Sequence, residues 1–185
     1  MFSYLGDKLQ TLCHKAEREL LLVAPFIKFD TFKRLLERVD EQVSITCVTR
    51  WRPDEIARGV SDIEIWQVFQ ARENATLWLR NDLHAKYYRS DENCLIGSAN
   101  ITSSALGWIA HPNYELLIQV PKDGLLAEFE QTLFTGCVEV DQDIFALTKT
   151  MADSLRTTYI VPAAVIENAP ISLPCLLYTS PSPRD

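Results

Sequence analysis

No apolar run in this sequence approaches the roughly 20 residues that a bilayer-crossing helix requires, so no membrane span is expected. Its opening, MFSYLGDKLQTLCHKAERE, lacks the basic start, apolar block and small-residue cleavage site of a secretory signal, which predicts a cytoplasmic location. Glycine is scarce, at 6 of 185 residues, and charged residues reach only 23%, a composition that argues against wholesale disorder. Five cysteines occur without a CxxC or a Cys/His ligand spacing, and this argues against a zinc site. Cys13, Cys47, Cys94 and Cys137 read instead as small apolar fillers in a reducing compartment. A carboxylate cluster suited to magnesium is also missing, so no metal and no cofactor is expected. Basic residues are in deficit, with a net charge of −7. Any phosphate-binding role must then rest on a local basic groove, because affinity for polyanions draws on Lys and Arg.

What is present suffices for one folded domain: 47% of the residues are hydrophobic, in a chain of ordinary domain length. Residues 1–156 are expected to form it. Residues 157–174, with Pro162, Pro170 and Pro174, read as a linker towards a further C-terminal region. The string CLLYTSPSPRD at 175–185 has no period that could be buried and resembles the translation of a sequencing adapter, so it is expected to be non-native.

Strand and helix patterns alternate. Residues 4–18 carry Leu5, Leu9, Leu12 and Ala16 at helical spacing. Leu20 to Phe26 is a continuous apolar run of the kind buried on both faces, with Pro25 ending its hydrogen-bonded part. Asp30 is placed to cap a helix whose apolar stripe is Phe32, Leu35, Leu36 and Val39. Val43 to Val48 reads as a second strand, Pro53 opens a short helix, and residues 62–72 form another. Ala75 to Leu79, Leu83 to Tyr88, Cys94 to Ile96 and Tyr114 to Val120 are further strands, with a helical turn between Ser103 and Gly107. Helices follow at Leu125 to Leu133 and from Asp143 to about Arg156. The pattern predicts an α/β fold: a mixed sheet flanked by helices on both faces.

His84 and Lys86 stand two apart in a segment read as a strand, so alternation puts imidazole and ammonium on one face. Gly97-Ser98-Ala99-Asn100 follows at the end of the next strand, where glycine permits a tight turn and Ser98 and Asn100 offer neutral donors. One lysine and several neutral donors suit a phosphodiester. Glu115, in a later strand, is placed to accept a proton from one nitrogen of His84 and leave the other free to attack. Arg50 and Arg52 follow a strand end, where open α/β sheets bind ligands, and are candidates for substrate binding unless Asp54 and Glu55 pair with them. Trp51 between them is a candidate for stacking on a base. Of Tyr87 and Tyr88, on opposite faces, one is expected in the core and the other beside the site. His14 reads as a surface residue, and His111 as a loop residue near Glu115.

The run His84-Ala85-Lys86, four residues, Asp91, five residues, Gly97-Ser98-Ala99-Asn100, followed by Asn113 and Glu115 as an Asn-x-Glu element, closely resembles the phospholipase D superfamily signature. The interval from Asp91 to Gly97 is one residue shorter than that pattern, a departure that bears on Asp91 more than on His84; Asp91 and Gly97 are expected in supporting roles. With Ala-Pro-Phe after the first strand and Thr49-Arg50-Trp51, the resemblance covers about residues 4–140. It implies that His84 forms a phosphohistidine, that Lys86, Ser98 and Asn100 bind phosphate oxygens, and that Glu115 orients His84, all without a metal. The chemistry needs a second histidine to protonate the leaving alkoxide, and this chain carries one motif, so the resemblance implies a homodimer with two motifs across a two-fold axis. The expected function is an endonuclease of restriction or defence type acting on DNA. A phospholipase or phosphatidyl transferase, and a non-catalytic dimerisation module of a larger DNA-processing protein, are the alternatives.

Overall fold

The computed structural model describes residues 5–158, so the linker from residue 159 onward and the segment 175–185 lie outside the described residues. The amphipathic start folds as α1 (Leu5–His14), which buries Leu9, Leu12 and Cys13. The apolar run that follows becomes β1 (Glu19–Val23), and α2 (Phe29–Leu36) leads from it to β2 (Ser44–Thr49). A short α3 (Pro53–Ala57), begun by Pro53 in its first turn, and α4 (Trp66–Gln70) connect β2 to β3 (Ala75–Leu79). Then come β4 (Tyr87–Ser90), β5 (Asn93–Gly97), β6 (Leu117–Pro121), α5 (Gly124–Leu133), β7 (Val138–Glu139) and α6 (Gln142–Thr158).

Among the described residues the strands form one sheet in the order β6-β5-β4-β1-β2-β3-β7. β1, β2 and β3 are parallel, with Leu22 opposite Cys47 and Cys47 opposite Leu77. β4, β5 and β6 form an antiparallel meander that joins this half through β4, where Val23 pairs with Tyr87 and Leu20 with Ser90. The sheet is therefore mixed, as expected. Its alternation divides the core. Leu20, Leu22, Ile45, Cys47, Leu77 and Tyr88 pack with residues of α1, α2, α4 and α6 on one face. Leu21, Val23, Val48, Tyr87 and Cys94 pack under Leu126, Phe129 and Leu133 of α5 on the other.

Several expectations about local structure change. The strand expected from Leu83 begins at Tyr87, and the one expected from Tyr114 begins at Leu117, so His84, Lys86 and Glu115 lie just before strands. The short edge strand β7 carries no sequence pattern that announces it. Asp30 sits inside α2 and does not cap it. The cap comes from Asp62, which accepts the Phe29 amide at 2.9 Å and pairs with the Lys28 ammonium. Tyr87 and Tyr88 are both buried. The Tyr88 hydroxyl donates to the Ala99 carbonyl at 2.6 Å, while the Tyr87 hydroxyl donates to Glu130 beneath α5, so neither lines the site. His14 is half-buried at the end of α1, with its Nε2 atom enclosed and unpartnered among the described residues.

Asp91 lies at the opposite end of the sheet from His84, Gly97 and Glu115. It forms the tip of the two-residue hairpin between Ser90 and Asn93, at φ 50°, a left-handed conformation that aspartate tolerates. Its carboxylate accepts the amides of Glu17 at 2.9 Å, Arg18 at 3.2 Å and Glu19 at 3.1 Å, anchoring the entry to β1. Asp91 supports the fold and is remote from the chemistry.

Candidate active site

The parallel register runs β1 and β2 towards Val23 and Thr49, and the antiparallel meander brings the start of β4, the end of β5 and the start of β6 to that same end. His84, Lys86, Gly97 to Asn100 and Glu115 thus collect at one edge of the sheet from segments that are neighbours in the meander. Arg50 and Arg52 emerge from β2 at the same end.

Gly97 is needed for its lack of a side chain. A Cβ there would overlap the Leu116 carbonyl, because the chain entering β6 crosses directly against it. That approach lets the Ser98 amide donate to the Leu116 carbonyl at 2.9 Å and the Leu116 amide donate to Ser98 Oγ at 3.1 Å. The Ser98 hydroxyl in turn donates to Glu115, whose other oxygen accepts from Asn113 Nδ2 at 3.4 Å. Glu115 therefore meets Ser98 and Asn113, where the sequence suggested His84. The single Ser98 proton is committed to Glu115, so the expected phosphate contact from Ser98 would require that bond to be exchanged.

Asn100 is docked on the exit of β1. Its Oδ1 accepts the Phe26 amide at 3.4 Å, Ile101 forms a bridge with Ile27, and the Lys28 amide donates to the Ile101 carbonyl at 2.9 Å. Phe26, Lys28, Asp62, Asn100, Ser103 and Asn113 belong to the wall of a groove of about 510 Å³ beside the motif. Lys86 is half-buried and its ammonium donates to the His84 carbonyl at 2.9 Å. Burial holds that ammonium below the ordinary lysine value, opposed by the charge of Glu115 and reinforced by that of Arg50. The His84 side chain is exposed and makes no hydrogen bond among the described residues. His111 is exposed in the loop before Asn113.

Arg50 and Trp51 are not presented to a substrate as expected. Trp51 is only 4% exposed and packs edge-on against Phe145, so it cannot stack on a base. Arg50, 8% exposed, donates from Nε and Nη2 to Glu55 at 3.0 and 2.5 Å, and from Nη1 to the Leu83 carbonyl at 3.0 Å. Leaving the buried Glu55 without its partner would cost about 3–5 kcal/mol. One charge-assisted hydrogen bond to phosphate returns about 1.5–3 kcal/mol, so the guanidinium stays with Glu55. Arg52 remains exposed and bonds the Asn81 carbonyl at 3.2 Å. Glu55, a residue the sequence reading treated only as a competitor for Arg50, is thus part of the site's frame. Its spacing from Arg50 at i+5 across a strand end was the available signal.

Among the described residues no three His, Cys, Asp or Glu side chains gather as metal ligands would, and no helix is long and apolar enough to cross a membrane. Neither a protein-family model nor a curated protein matches the sequence. Solved structures do share its architecture. NucT from Helicobacter pylori matches with a TM-score of 0.57 at 13% identity, over 72% of this chain and 89% of its own. Nuc from Salmonella typhimurium, a phospholipase D family member, matches with a TM-score of 0.53 at 17% identity, over 73% of this chain and 90% of its own. A phosphatidylserine synthase from Haemophilus influenzae matches at 0.59 and 11% identity, over 81% of this chain and 41% of its own. At such identities the likeness is one of fold, and a fold of this kind serves more than one substrate. This chain thus shares the fold of NucT, of the phospholipase D family member Nuc and of the phosphatidylserine synthase.

Proposed function

We propose that the chain is a phosphodiesterase that cleaves DNA through a phosphohistidine, without a metal, at a site shared by two copies. The observation that carries this reading is the gathering of an exposed imidazole, a half-buried ammonium, the Ser98–Glu115 pair and Asn100 at one sheet end. A ring nitrogen of His84 attacks phosphorus and the P–O bond to the leaving alkoxide breaks. The partner subunit's His84 protonates that alkoxide and then takes a proton from the water that hydrolyses the P–N bond, which releases His84 and a phosphate monoester end. Lys86 neutralises the non-bridging oxygens. Because Asn100 Oδ1 is occupied by Phe26, its amide nitrogen is the atom left to donate to them. Glu115, held by Ser98 and Asn113, acts through its charge on Lys86, and would have to exchange one of those bonds to reach His84.

The two-fold axis is best placed beside β6. Tyr114, Leu116 and Ile118 are exposed apolar side chains flanking Glu115 on this edge, and such patches mark interaction surfaces. DNA is preferred to a phosphatidyl substrate on the short chain with a single motif. The restriction or defence role is the narrower form of the same proposal. Nicking of supercoiled plasmid in excess EDTA tests it: cleavage should persist and should vanish in His84→Ala. Activity that disappears in EDTA and returns with magnesium would refute the mechanism. Cleavage of phosphatidyl substrates but not of DNA would replace nuclease by lipase.

A further inference from the structure

We propose that Arg50, locked to Glu55, is a positioning residue for His84 that never touches the substrate; this rests on the reading of His84 as the nucleophile. The segment from Leu83 to Lys86 lies before the strand, tied to the sheet where the Lys86 carbonyl accepts the Gly97 amide at 3.3 Å, so the sheet does not itself hold the Leu83–His84 peptide that carries the imidazole. Arg50 fixes it. Its Nη1 donates at 3.0 Å to the Leu83 carbonyl, which belongs to the same planar peptide unit as the His84 amide. Holding that plane sets the axis about which His84 turns. Leu83 is itself buried, so no water competes easily for the carbonyl.

The remaining guanidinium nitrogens are held by Glu55 in a two-point bond, and Glu55 is 8% exposed on α3. The guanidinium also lies over the Phe26 ring at 5.1 Å, and the Phe26 amide is the group that docks Asn100. One side chain therefore ties α3, the segment bearing His84 and the β1 exit bearing the Asn100 contact. From either side the clamp is extended. Arg52 grips the Asn81 carbonyl, and Arg80 bonds Asp82 together with the carbonyls of Thr132, Leu133 and Thr135 at the C-terminal end of α5. A lysine at position 50 could not reproduce this, since one ammonium cannot hold both Glu55 oxygens and a carbonyl in a planar fork.

The test uses the full chain with Glu55→Gln, which keeps the shape and leaves the charge of Arg50, together with Arg50→Lys, Arg50→Met and the surface control Arg58→Ala. Steady-state cleavage of a DNA oligonucleotide is measured beside the ¹H–¹³C spectrum of the imidazoles, assigned against His84→Gln in a protein with only three histidines. The expected result is a fall in kcat of roughly 10–100-fold in Glu55→Gln and both Arg50 variants, with KM nearly unchanged, because small misplacements of a reacting group cost that much. The His84 resonance should broaden or shift in the same variants while Arg58→Ala behaves as wild type. Retained kcat with raised KM, least in Arg50→Lys, would show that Arg50 binds phosphate and overturn the proposal. So would folded variants with unchanged kcat and an unchanged His84 signal. If the wild-type protein cleaves no phosphodiester at all, the functional reading fails, and the His84 spectrum of Glu55→Gln still decides whether the clamp positions the ring.

Discussion

Ser98 and Glu115, 17 residues apart, are bonded side chain to side chain, and the Ser98 oxygen accepts the amide of Leu116 in return. The serine hydroxyl is thus a bracket for the carboxylate. Ser98→Ala removes the donor and frees Glu115 to move, so kcat should fall roughly 10–100-fold with little change in KM. Ser98→Thr, which keeps the hydroxyl, should recover much of it. A rise in KM alone would assign Ser98 to phosphate binding.

Gly97 has no room for a methyl group against the Leu116 carbonyl. Gly97→Ala must push β6 away from β5, and such overpacking costs about 1–3 kcal/mol. Urea denaturation should show this loss. Cleavage by the fraction still folded should also fall, because the same displacement separates Ser98 from Glu115.

Asp91 offers a stability test without a catalytic one. Burial pushes its carboxyl up, but the amides of Glu17, Glu19 and Arg18 and the Arg18 charge outweigh this and hold it below the ordinary aspartate value. A folded value below the unfolded one contributes stability that is complete above the unfolded pKa and is lost as pH falls through the folded one. Asp91→Asn, which tolerates the same left-handed backbone, should lose about 1–3 kcal/mol at pH 7. The gap to wild type should start to narrow as pH falls below about 4, the unfolded value, and should close only once the folded Asp91 is itself protonated, below its lowered value. Specific activity of the folded protein at pH 7 should not change.

The half-buried Lys86 gives up its charge at lower pH than an ordinary lysine. If it neutralises phosphate, binding weakens as pH rises through that lowered value. KM should climb on the alkaline side, and Lys86→Arg, which keeps its charge, should abolish the climb even if kcat suffers. An alkaline KM limb identical in the two proteins would remove Lys86 from phosphate binding.

In the proposed site shared by two copies, His84 would serve once as nucleophile and once as acid. Co-refolding wild-type chains with His84→Ala chains at varying ratios should give activity that falls roughly as the square of the wild-type fraction, since losing either group costs about two or more orders of magnitude. Linear decline would mean that each chain works alone. Leu116→Asp, on the exposed apolar edge beside Glu115, should lower the dimer fraction by sedimentation and activity with it.

β1, β2 and β3 were legible to within three residues at their ends because their runs are continuously apolar or β-branched. The gathering of His84, Lys86, Gly97, Asn100 and Glu115 at one end was legible for a similar reason, since short intervals in a meander leave few places to go. Strand starts near the site were read too early. Leu83 to Lys86 and Tyr114 to Leu116 have strand-like alternation but leave the ladder to present functional groups. Trp51 and Asp62 were misjudged or missed because their partners, Phe145 and the Phe29 amide, come from distant elements. The Arg50–Glu55 pair was legible as an alternative, but local pattern reports charge and period and does not report whether a nearby carboxylate or a substrate will meet the guanidinium.

The pairing of β1 with β4 is where the parallel and antiparallel halves of the sheet are hydrogen-bonded to each other. The imidazole, ammonium and Ser98–Glu115 bracket all belong to the antiparallel half, while Arg50 and the Phe26 amide belong to the parallel half. A transient parting of that ladder would therefore leave both halves locally intact and yet uncouple the chemistry from its frame. In hydrogen-exchange terms, the amides of Leu20 to Val23 should be among the slowest in the protein, and any ligand that grips both halves at once should slow them further.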